Sequence, residues 1–222
     1  MPNCEVRRLG RTGYAESLVL QRRYVEQRKR GEIPHQLLFV EHPHVVTLGR
    51  NARPENVLAS HQVLERAGIQ VCETDRGGDV TYHGPGQIVA YPIVDLREWK
   101  RDVVAYVRAI EQVLIDTLAA FGFRGERIEG ATGVWVDGAK VAAIGVHISR
   151  WVTSHGWALN LDTDLRYFQY IVPCGLTKPV TSLRKLGSDA TRHELEAELA
   201  AHFAAQFGFT LSEPALFMER AI

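Results

Sequence analysis

The chain has 222 residues, with 26 Lys and Arg balanced by 26 Asp and Glu, so its formal charge is zero and it carries no basic excess of the kind that nucleic-acid binding needs. Three cysteines, Cys4, Cys72 and Cys174, form an odd set without CxxC spacing, which argues against a disulfide framework. The start, MPNCEVRRLGRTGY, lacks a secretory apolar stretch and runs such as IVAYPIV are too short to span a bilayer, so a soluble, reduced, cytoplasmic protein away from the membrane is expected.

Tyr14 to Arg30 reads as a first helix, with Ala15, Leu18, Val19 and Val25 on one face and Gly31 ending it. In the run QRRYVEQRKR, Gln21 to Arg30, the cations Arg22, Arg23, Arg28, Lys29 and Arg30 stand against Glu26 alone, a pattern that is either a solvated face or a dock for an acidic protein. Pro34 breaks to a strand in HQLLFVEHP, and VVTLGR continues it after a turn at Pro43. His42 and His44 would share one side of a strand, but no HExxH or Cys/His ligand set follows, so no metal is expected. A short helix over 58–67 precedes the strand IQVCETD, which leads into the glycine-rich stretch RGGDVTYHGPGQ, residues 76–87. QIVAYPIVDL is strand again.

Spacings of three and four among Val103, Val107, Ile110, Leu114 and Leu118 predict the longest helix, from about Trp99 to Phe121. The pattern then switches to period two. TGVWV, an Asp137-Gly138 turn and KVAAIGVHI read as a hairpin, and WVTSHGWALNL as a further strand. A low-regularity stretch from Asp162 to Leu186 follows. A capping box of Thr191 with Glu194 then opens the last helix, with Leu195, Leu199, Phe203 and Phe207 along it, and EPALFMERAI reads as an edge segment or closing turn. No repeat, low-complexity tract or Pro/Gly/Ser linker interrupts residues 1–222, which read as a single domain. Strands clustered with hairpin turns imply an α/β (α+β) class, with a mixed, mainly antiparallel sheet and helices packed on it.

The chemistry concentrates in a few places. Gly77, Gly78, Gly84 and Gly86 with Pro85 let a backbone lie against a ligand and present bare N–H groups. Arg76 adds a forked cation, Thr81 a hydroxyl, and Tyr82 and His83 amphipathic rings; the alternative is a hairpin whose polar residues face water. Cys174 lies between Pro173 and Gly175, which fix and expose a backbone where a packing cysteine needs neither, whereas Cys4 and Cys72 fit small buried hydrophobes. A thiolate nucleophile needs a base or a cation, and Lys140, His83, His147 and His155 are the candidates. Lys140 is singular because it stands at the mouth of an apolar strand, where desolvation would lower its pKa, unless it is simply a solvated hairpin lysine. A groove lined by Ala143, Ile144, Gly145, Gly156, Trp157 and Ala158 would suit an alkyl chain.

Taken together, RGGDVTYHGPGQ, GAKVAAIGVHI, SHGWALN, PCGL and VTSL resemble the lipoyl(octanoyl) transferase family of lipoate biosynthesis, in five blocks in the right order between residues 41 and 183. The resemblance implies the catalytic-domain fold of the biotin and lipoate protein ligases. It also implies a reaction without a cofactor, in which an octanoyl group moves from octanoyl-acyl carrier protein to a lysine of a lipoyl domain through a thioester on Cys174. The implied acceptors are the lipoyl domains of 2-oxoacid dehydrogenases and the glycine cleavage H protein. Lys140 matches the family lysine that lowers the thiol pKa and moves protons. Arg76, Gly77, Gly78, Asp79, Val80, Thr81, Tyr82 and His83, then Ala143, Ile144 and Gly145, then Gly156, Trp157 and Ala158, match its substrate-binding blocks. Trp157 departs from the smaller apolar residue or Phe expected there. Two rival readings are an ATP-dependent lipoate or biotin ligase of the same fold, which would not need Cys174, and a non-catalytic module that holds acylated carrier protein.

Overall fold

Apolar runs without alternation mark strands buried on both faces, and the computed structural model, which describes residues 1–172 and 178–214, builds its main sheet on such runs. The chain opens with β1 (Asn3–Arg11), α1 (Tyr14–Lys29), β2 (His35–Glu41), β3 (Val45–Leu48), α2 (His61–Arg66), β4 (Gln70–Glu73), β5 (Val80–His83) and β6 (Gln87–Ile93). It continues through α3 (Val103–Ala120), β7 (Glu126–Ile128), β8 (Ala131–Val136), β9 (Ala139–Ser149), β10 (Val152–Asn160), α4 (Arg192–Phe207) and β11 (Thr210–Ser212). Among the described residues these strands form an eight-stranded sheet, ordered β11-β1-β2-β6-β10-β9-β8-β7, and a three-stranded sheet, β4-β3-β5. β1 runs parallel to β2 and β11, and β3 parallel to β4; the other strand pairs are antiparallel. This is the mixed, mainly antiparallel sheet that the hairpin signals predict.

The main sheet has helices on both faces, and period two sorts its side chains between them. Leu37, Phe39, Ile88, Ala90, Trp157 and Leu159 join the core under α3 and α4, with Ile110, Leu114 and Leu118 from α3 and Leu199 and Phe203 from α4. Leu38, Val40, Val89, Tyr91 and Ala158 turn to the opposite face, where Tyr24 and Val25 of α1 cover them. The small sheet has its own cluster of Val46, Leu64, Ile69, Val80, Tyr82 and Ile171. Local chemistry fixes the ends: Asp102 caps α3 by accepting from the Ala105 N–H at 2.9 Å, and Thr191 with Glu194 forms the capping box of α4. The Asp137-Gly138 turn takes positive φ at both residues, as a tight hairpin between β8 and β9 requires.

Several expectations need correction. The buried face of α1 is Tyr14, Ser17, Gln21, Tyr24, Val25 and Arg28, while Val19 is 66% exposed. A polar contact contributes to this: the Gln21 Oε1 accepts the His155 N–H at 2.8 Å, so a hydrogen bond as well as apolar area ties α1 to the sheet. α3 starts at Val103, not near Trp99, because Asp102 caps it there. His42 and His44 do not lie on a strand; they occupy the bend between β2 and β3. The stretch 76–87 is not loop throughout, since Val80–His83 pairs with β3. β1, β7 and β11 were not predicted. The tail from residue 215 lies outside the described residues, and no described helix is long and apolar enough to cross a membrane.

Candidate active site

Residues 76–79 bridge the two sheets. The Arg50 N–H donates to the Arg76 carbonyl at 3.0 Å, the Asn51 N–H to the Gly78 carbonyl at 3.1 Å, and the Gly77 N–H to the Val146 carbonyl of β9 at 2.9 Å. A Cβ on Gly145 would stand 2.8 Å from the Gly77 carbonyl oxygen, so the glycine is what allows the loop to lie on β9. Arg76 is buried, and its guanidinium donates to the Thr47 hydroxyl at 3.1 and 2.9 Å and to the Thr47 carbonyl at 2.7 Å. Asp79 anchors the exit of the loop by accepting the N–H groups of Arg53 at 3.0 Å and Val80 at 2.8 Å, together with the Asn56 amide. Beyond it the residues alternate. Val80 and Tyr82 enter the core of the small sheet, with the Tyr82 hydroxyl 2.7 Å from His44 Nδ1, while Thr81 and His83 line a cavity between the sheets.

That cavity is floored by Val89 and Tyr91 of β6, Ala143, Ile144 and Gly145 of β9, and His155, Gly156, Trp157 and Ala158 of β10, with Tyr14 and Arg76 completing it. Its free volume of about 30 Å³ holds one or two waters, so a longer guest has to displace side chains. Ile144 and Gly145 also border an open groove of about 810 Å³, lined by Gly77, Gly78, Asp79, Asn56, Lys140 and the exposed Val103 of α3. Lys140 is only 7% exposed; its Nζ donates to the Thr132 carbonyl at 3.2 Å and lies 4.8 Å from the centre of the Trp135 ring. It is therefore not a solvated hairpin lysine. Its backbone pairs with the segment after Cys174, the Lys140 N–H donating to the Pro179 carbonyl at 2.8 Å and the Thr181 N–H to the Lys140 carbonyl at 2.9 Å. Before Cys174, the Val172 N–H donates to the Asn56 carbonyl at 2.8 Å. Cys174 itself lies outside the described residues, and the structure gives no distance for a Cys174–Lys140 pair.

The histidines divide by environment. Burial, reinforced by His42, holds His83 neutral with a pKa near about 3, and its Nδ1 sits 2.8 Å from Gln87 Oε1. Burial also takes His42 down to about 4; its Nδ1 meets the Thr12 carbonyl at 2.8 Å and its Nε2 the Tyr91 hydroxyl at 2.7 Å. His155, buried and with φ +55, puts Nε2 2.9 Å from Asp75 Oδ1 and leaves Nδ1 buried without a partner. Burial lowers its pKa against the opposing pull of Asp75. Burial alone would raise the Asp75 carboxyl, but the His155 hydrogen bond and the nearby histidines bring it below its ordinary range. His147 is more open, 3.7 Å from Asp75.

Two residues proposed for the groove serve the sheet as well. A Cβ on Gly156 would meet the Ala90 carbonyl oxygen at 2.2 Å, so this glycine admits the close approach of β6. The Trp157 indole packs against Phe203 beneath α4, with ring centres 6.0 Å apart, so the core accommodates its bulk. Tyr14, Asp75 and Tyr91 are not singled out by the sequence, while Gln87 and Asn160 fall at the ends of the blocks RGGDVTYHGPGQ and SHGWALN without a role assigned to them there.

Residues 13–204 match the family model described as the lipoyl protein ligase A/B catalytic domain. The chain belongs to that family. An octanoyltransferase of Solibacter usitatus is 60% identical to it over 211 residues, covering 95% of this chain and 96% of that protein. A bipartite lipoate protein ligase of Thermoplasma acidophilum superposes with a TM-score of 0.79 at 16% identity, over 98% of this chain and 89% of the other. A lipoate-protein ligase A bound with ATP gives 0.77 at 17% identity, over 96% and 90%. The lipoyl protein ligase fold implied by the sequence blocks is thus the fold observed, with the cavity and the Lys140 groove at the seam between its two sheets.

Proposed function

We propose that this chain is an octanoyltransferase of protein lipoylation. The observation that carries the reading is the octanoyltransferase relative at 60% identity over nearly its full length. The donor would be octanoyl-acyl carrier protein and the acceptor a lysine of a lipoyl domain, including those of 2-oxoacid dehydrogenases and the glycine cleavage H protein. In the first half-reaction the Cys174 thiolate attacks the thioester carbonyl and expels the carrier thiolate, leaving the octanoyl group on Sγ. In the second, the neutral acceptor amine attacks the new thioester, Cys174 leaves as thiolate, and the amine proton passes to a protein base. Lys140 supports this role by its burial at the groove and by holding residues 179–181 on its own backbone. His83 lines the adjoining cavity, where burial disfavours its charged form, so Lys140 is preferred to it as the base.

The alkyl chain is assigned to the cavity floored by Val89, Ala143 and Ala158, entered from the groove past Ile144 and Gly145. The test is the intact mass after incubation with octanoyl carrier protein. A gain of one octanoyl group, lost on adding a lipoyl domain, is expected. Transfer that requires free octanoate and ATP, with no adduct, would instead assign the chain to the ATP-dependent ligases of this fold.

A further inference from the structure

Beneath the cavity runs a buried chain of side-chain amides whose direction is fixed at two points by backbone carbonyls. Asn160 Nδ2 donates to the Thr181 carbonyl at 3.0 Å, which makes Asn160 Oδ1 an acceptor. Gln87 Nε2 donates to that oxygen at 2.9 Å and to the Tyr82 carbonyl at 3.3 Å, which leaves Gln87 Oε1 as an acceptor toward His83 Nδ1 at 2.8 Å. Turning either amide over would set oxygen against oxygen at a carbonyl, a cost of about 1–3 kcal/mol for each buried group left unsatisfied. His83 must therefore carry its proton on Nδ1, and Nε2 is the ring's acceptor. Gln87 and Asn160 are themselves 2% and 4% exposed, so water does not compete for these bonds.

We propose that Gln87 and Asn160 are positioning residues that couple the two halves of the site. At one end the relay sets the His83 tautomer, so that the cavity meets an imidazole acceptor and not a donor. At the other it grips Thr181, whose N–H is bonded to the Lys140 carbonyl, and so fixes the strand segment that runs alongside Lys140. The proposal rests on the octanoyltransferase reading for its catalytic meaning, but the tautomer and the grip are properties of this chain alone. The groups facing His83 are the stacked Tyr14 ring at 6.0 Å, His42 at 5.9 Å, the Arg76 guanidinium and the His155 imidazole.

Nitrogen chemical shifts of protein labelled at histidine, with the His83 signals assigned by their loss in His83→Ala, read the tautomer directly. The expected result is a neutral Nδ1–H imidazole in the parent. Gln87→Met removes the acceptor and should shift His83 toward Nε2–H and lower kcat for octanoyl transfer by roughly ten- to a hundredfold, as a misplaced reacting group does. Gln87→Glu restores the acceptor toward Nδ1 while losing the donor to Asn160 and Tyr82, and should recover a proton on Nδ1. An Nε2–H parent, or an unchanged tautomer in Gln87→Met, overturns the first half. Should Gln87→Met fail to fold, Gln87→Glu and the parent spectrum still decide that half. Asn160→Asp keeps the acceptor for Gln87 and loses the donor to Thr181; it should leave the tautomer intact and lower kcat with KM for carrier protein unchanged. Parent kcat in that variant overturns the second half. A parent protein that shows the expected tautomer but transfers no octanoyl group refutes the functional reading and leaves the relay standing.

Discussion

A nucleophilic thiol must be partly ionised near pH 7, and two of the three cysteines are placed against that. Burial pushes the Cys4 thiol up to about 12 and raises the Cys72 thiol, which is only partly buried and not the core residue expected of it, so both are held toward the protonated form. Cys174→Ala is expected to abolish the octanoyl adduct and turnover, while Cys4→Ala and Cys72→Ala retain both; intact mass and single-turnover rates check this. Lys140→Ala should slow adduct formation at least tenfold and move the alkylation of Cys174 to higher pH, since each unit of thiol pKa reflects about 1.4 kcal/mol of stabilisation of the thiolate. A parent-like alkylation profile in that variant would leave Lys140 with no role beyond packing on Trp135. At Gly156 and Gly145 two similar glycines should behave differently. Gly156→Ala drives a methyl into Ala90 and should cost about 1–3 kcal/mol of stability, measured by urea denaturation. Gly145→Ala presses on Gly77 and Arg76 and should show first as lost acyl transfer, because the loop lifts from β9.

At the scale of elements, the cations of α1 divide into an exposed pair and a buried or bonded pair. Arg28 is buried against Glu98 and beside His35, and Lys29 is bonded to Glu26 at 2.7 Å and Ser149 at 2.9 Å. Arg22 and Arg23 remain exposed. If α1 steers the acidic carrier protein, reversing Arg22 and Arg23 should raise its apparent KM and flatten the salt dependence of the rate, whereas Arg28→Glu should chiefly lower the melting temperature. An unchanged KM and salt dependence at Arg22 and Arg23 would place the dock elsewhere. This division is hidden from the charge pattern, which says nothing about which cations the sheet covers. Strands such as QIVAYPI and the Asp137-Gly138 hairpin were legible, since apolar content and turn chemistry are local. β1 was not, because NCEVRRLGR draws its strand character from parallel pairing with β2, a contact with no local signature. Likewise Arg76 and His83 stood out through the glycines around them, while Gln87 and Asn160 reach the site only because β6 and β10 are neighbours.

For the molecule as a whole, His35, His42 and His83 form a buried neutral set, with pKa values brought down to about 4, 4 and 3, in each case first by burial. The unfolded chain binds protons at these sites from about pH 6.5 downward while the native chain does not, so stability is lost as the pH falls through that window toward 4. Each site contributes a slope of up to about 1.4 kcal/mol per pH unit, and denaturant midpoints should drop steadily between pH 7 and 5. A flat profile there would mean that these imidazoles are not buried as neutral rings. The seam between the two sheets has a different consequence. It is crossed by a few polar ties, among them Gly77 to Val146 and His155 to Asp75, around a cavity that a guest must pry open to enter. On the proposed assignment, an octanoyl chain lodged there would act as a rivet between two plates: it would add apolar contact and favour the closed arrangement by its own binding energy. Backbone amides of β3 and β5 should then exchange with solvent faster in the free enzyme than in the acylated one. Turnover would pull the rivet out each time the acceptor lysine collects its acyl group, so the proposed acyl intermediate would also be a temporary structural part of the enzyme.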